Sequence, residues 1–298
     1  METGVIELAD VGPFDLQSTL ESGQSYIWRR ADGRTYETRR AYGGDAWYET
    51  VVDGEVLRVR QAGGPGDGRL EWESTTDATP LLTRLLRLDD DLEAIVDATP
   101  ANQLLDEAYA AFRGMRLVRD PFFPCLVSFI CSAQMRVERI YRMQTALRET
   151  YGDPVTVEGR TYYAFPTAAQ VARATEADLR ALGLGYRAPY VQQTAELVAA
   201  GGVTRADVDG LPYEAAREAA TAFVGVGEKV ADCVLLFSLG YLEAVPLDTW
   251  IRSAIAEHYP DCDRGSYADT SRAIRERFGG EYAGYAQTYV FHHLRTRS

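Results

Sequence analysis

The sequence predicts an α+β protein, an N-terminal antiparallel β-sheet domain packed on a mostly α-helical domain. Between Gly23 and Ser74, short runs rich in Tyr, Trp and Val alternate with Asp-Gly pairs. From about Pro80 onward the pattern changes, and apolar residues recur every three or four positions. No repeat, low-complexity tract or long linker interrupts the 298 residues, so the sheet is expected to pack directly on the helices. The expected boundary lies at 98/99, with residues 1–98 forming the sheet domain and 99–298 the helical one.

In the first domain, Tyr26-Ile27-Trp28, Ala46-Trp47-Tyr48 and Val56-Leu57-Arg58-Val59 read as strands of a meander. Asp32-Gly33, Asp53-Gly54 and Asp67-Gly68 read as its turns, because Asp-Gly supplies the positive φ angles of tight hairpins. Leu81, Leu82, Leu85, Leu86, Leu88, Leu92 and Ile95 then open the helical series. Further helical patterns are expected over 102–118, 122–150, 167–182, 188–200, 213–223, 228–240, 249–257, 268–278 and 281–295.

Composition narrows the function classes. Hydrophobic residues make up 46% and charged residues 25%, which suits a globular chain with a real core. The most apolar stretch, from Val234 to Leu242, is half a membrane span, and no signal peptide is visible, so a cytoplasmic protein without a membrane partner is expected. Four cysteines, Cys125, Cys131, Cys233 and Cys262, show no zinc or iron–sulfur spacing, and with three histidines they predict no tightly held transition metal. The net charge is −13, from 31 basic and 44 acidic residues, and Lys229 is the sole lysine. Such an acidic, lysine-poor chain suits cytoplasm at very high salt, where charge repulsion is screened, and predicts a halophilic source.

The sharpest local signal is Phe223-Val224-Gly225-Val226-Gly227-Glu228-Lys229-Val230-Ala231-Asp232. A helical run enters a Gly-x-Gly turn and a second helix leaves it, a helix-hairpin-helix over about 213–240. The glycines let consecutive backbone N–H groups face outward at a helix start, which suits one DNA phosphate. An ordinary helix–helix turn is the plainer alternative. Lys229 shifts the balance toward chemistry. Arginine would serve any charge role there, but only lysine loses its proton, attacks an electrophilic sugar carbon and forms a Schiff base. Nineteen residues on, Asp248 in Val245-Pro246-Leu247-Asp248-Thr249-Trp250 is a natural helix N-cap. It is equally a carboxylate held ionised by helix amides to face the cation that develops as an N-glycosidic bond breaks.

Together these segments resemble the helix-hairpin-helix (HhH-GPD) DNA glycosylases, and within them the 8-oxoguanine DNA glycosylase/AP lyases. The resemblance extends to Ser22-Gly23-Gln24-Ser25-Tyr26-Ile27-Trp28-Arg29, Leu126-Val127-Ser128-Phe129-Ile130-Cys131-Ser132, Leu182-Gly183-Leu184-Gly185-Tyr186-Arg187-Ala188 and Tyr282-Ala283-Gly284-Tyr285-Ala286-Gln287. It implies Lys229 as nucleophile and Asp248 as the essential carboxylate. Gly23 would offer its carbonyl to the N7 hydrogen that distinguishes 8-oxoguanine from guanine. Gln287 would bond the polar edge of the flipped base, Phe291 would stack on it, and Cys233 would form the other wall. Gln134 would fill the vacated stack, Arg139 and Arg187 would read the opposite base, and Tyr186 would act as a wedge. Gly225, Gly227 and Val230 would meet the DNA backbone.

Two positions depart from the family pattern. Gln134 replaces the usual Asn, and Trp250 replaces a His two residues after the Asp, so a phosphate contact there is lost or replaced. The implied function is excision of 8-oxoguanine from damaged double-stranded DNA by a monomer at the nucleoid, followed by β-elimination of the 3′ phosphate. No cofactor is implied beyond a monovalent cation on hairpin carbonyls. Two alternatives stand beside it: an alkylated-base (3-methyladenine) glycosylase of the same fold, and a non-catalytic hairpin module that only binds DNA.

Overall fold

A computed structural model describes residues 1–37 and 46–297. Five strands, β1 (Glu2–Glu7), β2 (Arg29–Arg30), β3 (Tyr48–Val52), β4 (Glu55–Ala62) and β5 (Arg69–Ser74), form an antiparallel sheet in the order β1-β5-β4-β3-β2. The tightest turn is the expected Asp53-Gly54, with φ of 55° and 85°, which joins β3 to β4 directly. The other two Asp-Gly pairs behave differently. Asp67-Gly68 ends a six-residue loop between β4 and β5. Asp32-Gly33 begins the long connection from β2 to β3, part of which lies outside the described residues.

Tyr26-Ile27-Trp28 is buried but is not a strand. The Ile27 carbonyl is satisfied by side chains instead of a ladder, accepting from Thr50 Oγ1 at 3.0 Å and Arg148 Nη1 at 2.5 Å. β1 was not expected. Its periodicity is weak because Gly4 lies under the Trp72 indole, where a Cβ would come within 2.3 Å of the ring, and Val5 faces solvent.

The helical part follows the expected order with three breaks. Helix Gln103–Ala111 stops early, and residues 112–118 run on without helical structure. There, buried Arg116 donates to the carbonyls of Arg87 (2.7 Å), Asp90 (2.6 Å), Val11 (2.5 Å) and Pro13 (3.2 Å), tying this segment to the first hundred residues. The expected helix over 122–150 is two, Phe122–Ile130 and Val137–Tyr151, separated by a loop in which Gln134 has φ of 52°. The one over 167–182 is also two, Ala168–Val171 and Glu176–Ala181, started by capping boxes at Thr167 and Thr175. A small hairpin, β6 (Pro154–Val157) and β7 (Arg160–Tyr163), closes through Glu158-Gly159.

Helices Tyr213–Ala220 and Glu228–Val234 form the hairpin, and Thr249–His258, Tyr267–Arg277 and Ala283–Arg297 complete the chain. One apolar core runs from Leu57, Val59 and Trp72 of the sheet to Leu126, Phe129, Val230 and Cys233 of the helices, so the two parts pack directly. A second core lies under the C-terminal helices around Ile251, Ile274, Phe278 and Val290. No described helix is long and apolar enough to cross a membrane.

Candidate active site and nucleic-acid interface

A cavity of about 680 Å³ lies between the loop after helix Leu16–Glu21 and the ends of four helices. It brings together seven of the expected residues: Gly23, Gln134, Lys229, Cys233, Asp248, Gln287 and Phe291. Their positions follow from local structure. Gly227 caps helix Glu228–Val234, so Lys229 stands in its first turn and Cys233 follows one turn on. Lys229 Nζ donates to Ser132 Oγ at 3.0 Å and lies 5.6 Å from the centre of the Phe129 ring. Asp248 caps helix Thr249–His258, its Oδ1 accepting from Ile251 N at 2.8 Å.

Electrostatics separate the two groups facing the cavity. Burial pushes the Asp248 carboxyl above its usual range, opposed by the charge of Lys229 and by the amides of Ile251 and Trp250. The amides expected to hold it ionised are present, and burial outweighs them. Burial likewise pushes the Cys233 thiol up to about 12, against the Lys229 charge, which leaves it an inert wall.

The opposite wall is built around Gly23, whose φ of 98° is in the left-handed region. A Cβ there would stand 3.0 Å from Val137 Cγ1, 3.3 Å from Arg295 Nη1 and 3.4 Å from Phe291 Cε1. Phe291 therefore faces the Gly23 backbone, and buried Gln287, one turn earlier on helix Ala283–Arg297, lines the same space. Neighbouring residues hold the glycine in place. Gln24 donates to Thr19 O and Arg116 O (2.9 and 2.8 Å) and accepts from Val118 N (2.9 Å), and Ser25 Oγ donates to Asp120 Oδ2 (2.7 Å).

The remaining expected residues lie outside this cavity. Arg139 is exposed and lines a second, outer space of about 540 Å³ with Gln134, Met135, Arg136, Glu138 and Arg142. Tyr186 is 51% exposed, whereas Arg187 is buried, donates to the carbonyl of Ala133 and stacks on the Tyr186 ring at 4.2 Å. Arg187 thus braces the loop that presents Gln134. In the hairpin, Gly225 has φ of 81° and lies against Tyr190, where a Cβ would meet the side chain at 2.7 Å. A Cβ on Gly227 would meet nothing within 4 Å. The Val230 side chain is buried in the core, so only its backbone can face a ligand. The chain itself takes carbonyls of the hairpin turn, among them Phe223 O from Val226 N, Val224 O from Thr194 Oγ1 and Gly227 O from Ala231 N.

Sequence reasoning assigned no role to Ser132, Asp120, Arg252 or Arg295. Ser132 meets Lys229 across 97 positions, and no local pattern signals such a pairing. Among the described residues no cluster of three His, Cys, Asp or Glu side chains is placed to hold a metal ion.

Comparison with known proteins agrees with this geometry. Residues 8–126 match the 8-oxoguanine DNA glycosylase N-terminal domain, and residues 127–279 match the HhH-GPD superfamily of base excision DNA repair proteins. The chain is 31% identical to a probable N-glycosylase/DNA lyase of Methanothermobacter thermautotrophicus, over 96% of this chain and 95% of that protein. It is 31% identical to an N-glycosylase/DNA lyase of Saccharomyces cerevisiae, over 82% of this chain and 68% of the relative. A crystal structure of the Clostridium acetobutylicum 8-oxoguanine glycosylase/lyase, bound to double-stranded DNA with cytosine opposite 8-oxoguanine, superposes with a TM-score of 0.82. It shares 27% identity and covers 95% of this chain and 92% of that one.

Proposed function

The chain belongs to the HhH-GPD superfamily of base excision DNA repair proteins and carries the N-terminal domain of its 8-oxoguanine glycosylases, and from that premise we propose that it excises 8-oxoguanine from duplex DNA and cleaves the strand at the resulting abasic site. One observation carries the reading. Lys229 and Asp248 open onto the same cavity as Gly23, Gln287 and Phe291, so a nucleophile and a base-sized recognition wall face each other.

The damaged nucleotide leaves the duplex and its base enters between Phe291 and Cys233, with Gln287 on its polar edge and the Gly23 carbonyl toward N7–H. As the C1′–N9 bond breaks, its electron pair leaves with the base, which takes up a proton. Positive charge grows on the sugar and is met by Asp248. The Lys229 amine, having given up a proton, bonds to C1′, and opening of the sugar ring yields the imine. Loss of a C2′ proton then expels the 3′ phosphate. Water supplies the proton that the base takes up and accepts the one lost from C2′, and the hairpin backbone carbonyls are where a monovalent cation would sit. Gly227 fits the same reading, because nothing in the protein requires its missing side chain and a DNA backbone approaching the turn does. Such an enzyme works as a monomer in the cytoplasm on nucleoid DNA, and the acid excess suits a medium of high salt.

Borohydride trapping tests the reading. On an 8-oxoguanine duplex, wild type should give a covalent protein–DNA adduct and a cut strand. Lys229→Gln and Lys229→Arg should lose both while still binding the duplex, since arginine keeps the charge but no removable proton. Asp248→Asn should lose base release by roughly 100-fold yet retain some adduct at a pre-made abasic site. Strand cleavage by Lys229→Arg at the wild-type rate overturns the mechanism, and release of 3-methyladenine in place of 8-oxoguanine overturns the substrate.

A further inference from the structure

Arg252 lines the cavity with Lys229 and Asp248, yet it is exposed and has no carboxylate partner among the described residues. This is unusual for its surroundings. Acidic residues outnumber basic ones 44 to 31, and nearby Arg217, Arg272 and Arg275 all pair with Asp or Glu. The guanidinium of Arg252 instead lies 5.7 Å from the centre of the Tyr267 ring. That ring is anchored on two sides, its hydroxyl donating to Asp232 Oδ2 at 2.7 Å and accepting from Leu247 N at 3.1 Å. Asp232 belongs to the Lys229 helix and Leu247 precedes Asp248, so one tyrosine sets Arg252 relative to both reacting groups.

Arg252 follows Asp248 by four residues, which puts the two side chains on one helix face. An unpaired cation there would oppose the positive charge that grows on the sugar, unless an anion lies between them. The amides at this helix start are turned to Asp248 itself, so they offer no second anion site. Trp250, on the cavity rim two residues after Asp248, has one neutral N–H to offer and no charge.

We propose that Arg252, backed by Tyr267, is a positioning residue that binds a backbone phosphate flanking the excised nucleotide. The proposal rests on the glycosylase reading above. The phosphate neutralises the guanidinium, and the guanidinium holds the sugar in line with Lys229 Nζ. Arg136, also on the rim and without an ion pair among the described residues, lies beside Gln134 on the outer loop and is placed for the gap and not for the flipped nucleotide.

The test uses duplexes carrying one neutral methylphosphonate either 5′ or 3′ to the lesion, with wild type, Arg252→Ala and Arg252→Lys. Arg252→Ala should weaken binding of a tetrahydrofuran-site duplex about tenfold and reduce the slope of log K against log salt by about one. Arg252→Lys should recover part of the loss. A methylphosphonate at the contacted position should cost wild type the same factor and cost Arg252→Ala nothing more, and the responding position identifies the phosphate. Equal methylphosphonate losses in wild type and Arg252→Ala at both positions overturn the proposal, as does wild-type binding by Arg252→Ala. The tetrahydrofuran duplex has no base to excise, so these outcomes are independent of whether 8-oxoguanine is the substrate.

Discussion

Around Gly23 nearly every polar group is engaged. Gln24 makes three hydrogen bonds, Tyr36 donates to Ser25 O at 2.9 Å, and Arg295 Nη2 donates to Glu21 O at 2.8 Å. Along the rim from Gln134 to Arg142 the opposite holds. Gln134 is exposed in a left-handed conformation, and Arg136, Arg139 and Arg142 make no ion pair among the described residues. The difference matches what the proposed function asks of each region. A wall that is to tell one purine from another by a single hydrogen needs groups already in place, because any freedom lost on binding is subtracted from discrimination. A rim that is to meet DNA would find its missing partners there, and an internal ion pair would have to be broken first.

Disturbing the preorganised wall should give the largest effect. Gly23→Ala forces a side chain into a positive-φ position against Val137, Arg295 and Phe291. Release of 8-oxoguanine should fall by about 100-fold, as small misplacements near a reacting centre do. Borohydride trapping at a pre-made abasic site, where no base needs reading, should stay near wild type. Equal loss on both substrates would mean that the wall only supports the fold.

A second test sharpens the contrast through pH. Burial pushes the Asp120 carboxyl up to about 7, opposed by the Ser25 hydrogen bond, and its other oxygen has no partner. Folding thus favours the protonated acid. Its contribution is complete below the ordinary value of 3.8 and is lost as pH rises through about 7. Urea unfolding of wild type should show stability declining from pH 4 to 8. Asp120→Asn should remove a part of that decline on the order of 2–4 kcal/mol. Asp232, also pushed to about 7 by burial but held by Tyr213, Tyr267 and Arg217, leaves a residual slope in both proteins. Parallel profiles for wild type and Asp120→Asn would remove Asp120 from this account.

The smallest effect belongs to the rim. Gln134→Gly should relieve the left-handed backbone and raise stability by about 1 kcal/mol in thermal or urea unfolding, while weakening lesion binding. Loss of stability would show that the Gln134 side chain is held by the protein and does not await DNA.

Local requirements were legible in the sequence. The Asp53-Gly54 turn and the Gly227 and Asp248 helix starts each rest on a requirement met within a few residues. Gln287 and Phe291 share a helix face by their spacing alone. The misreadings lie where distant groups replace local ones. Tyr26-Ile27-Trp28 has strand composition, but side chains from Thr50 and Arg148 take the Ile27 carbonyl. The helix expected over 122–150 is opened at Gln134, where Arg187 holds the carbonyl of Ala133. By itself the sequence determined which residues are candidates for the chemistry, because a lone lysine after Gly-x-Gly and an acid after Val-Pro-Leu stand at fixed spacing whatever the fold. Only the tertiary structure decided the partners: Ser132 on Lys229, Asp120 on Ser25 and Tyr267 under Arg252. The first two join segments far apart along the chain, brought within bonding distance by packing of the shared core, and the third joins successive helices over the C-terminal core; local propensity specifies none of them.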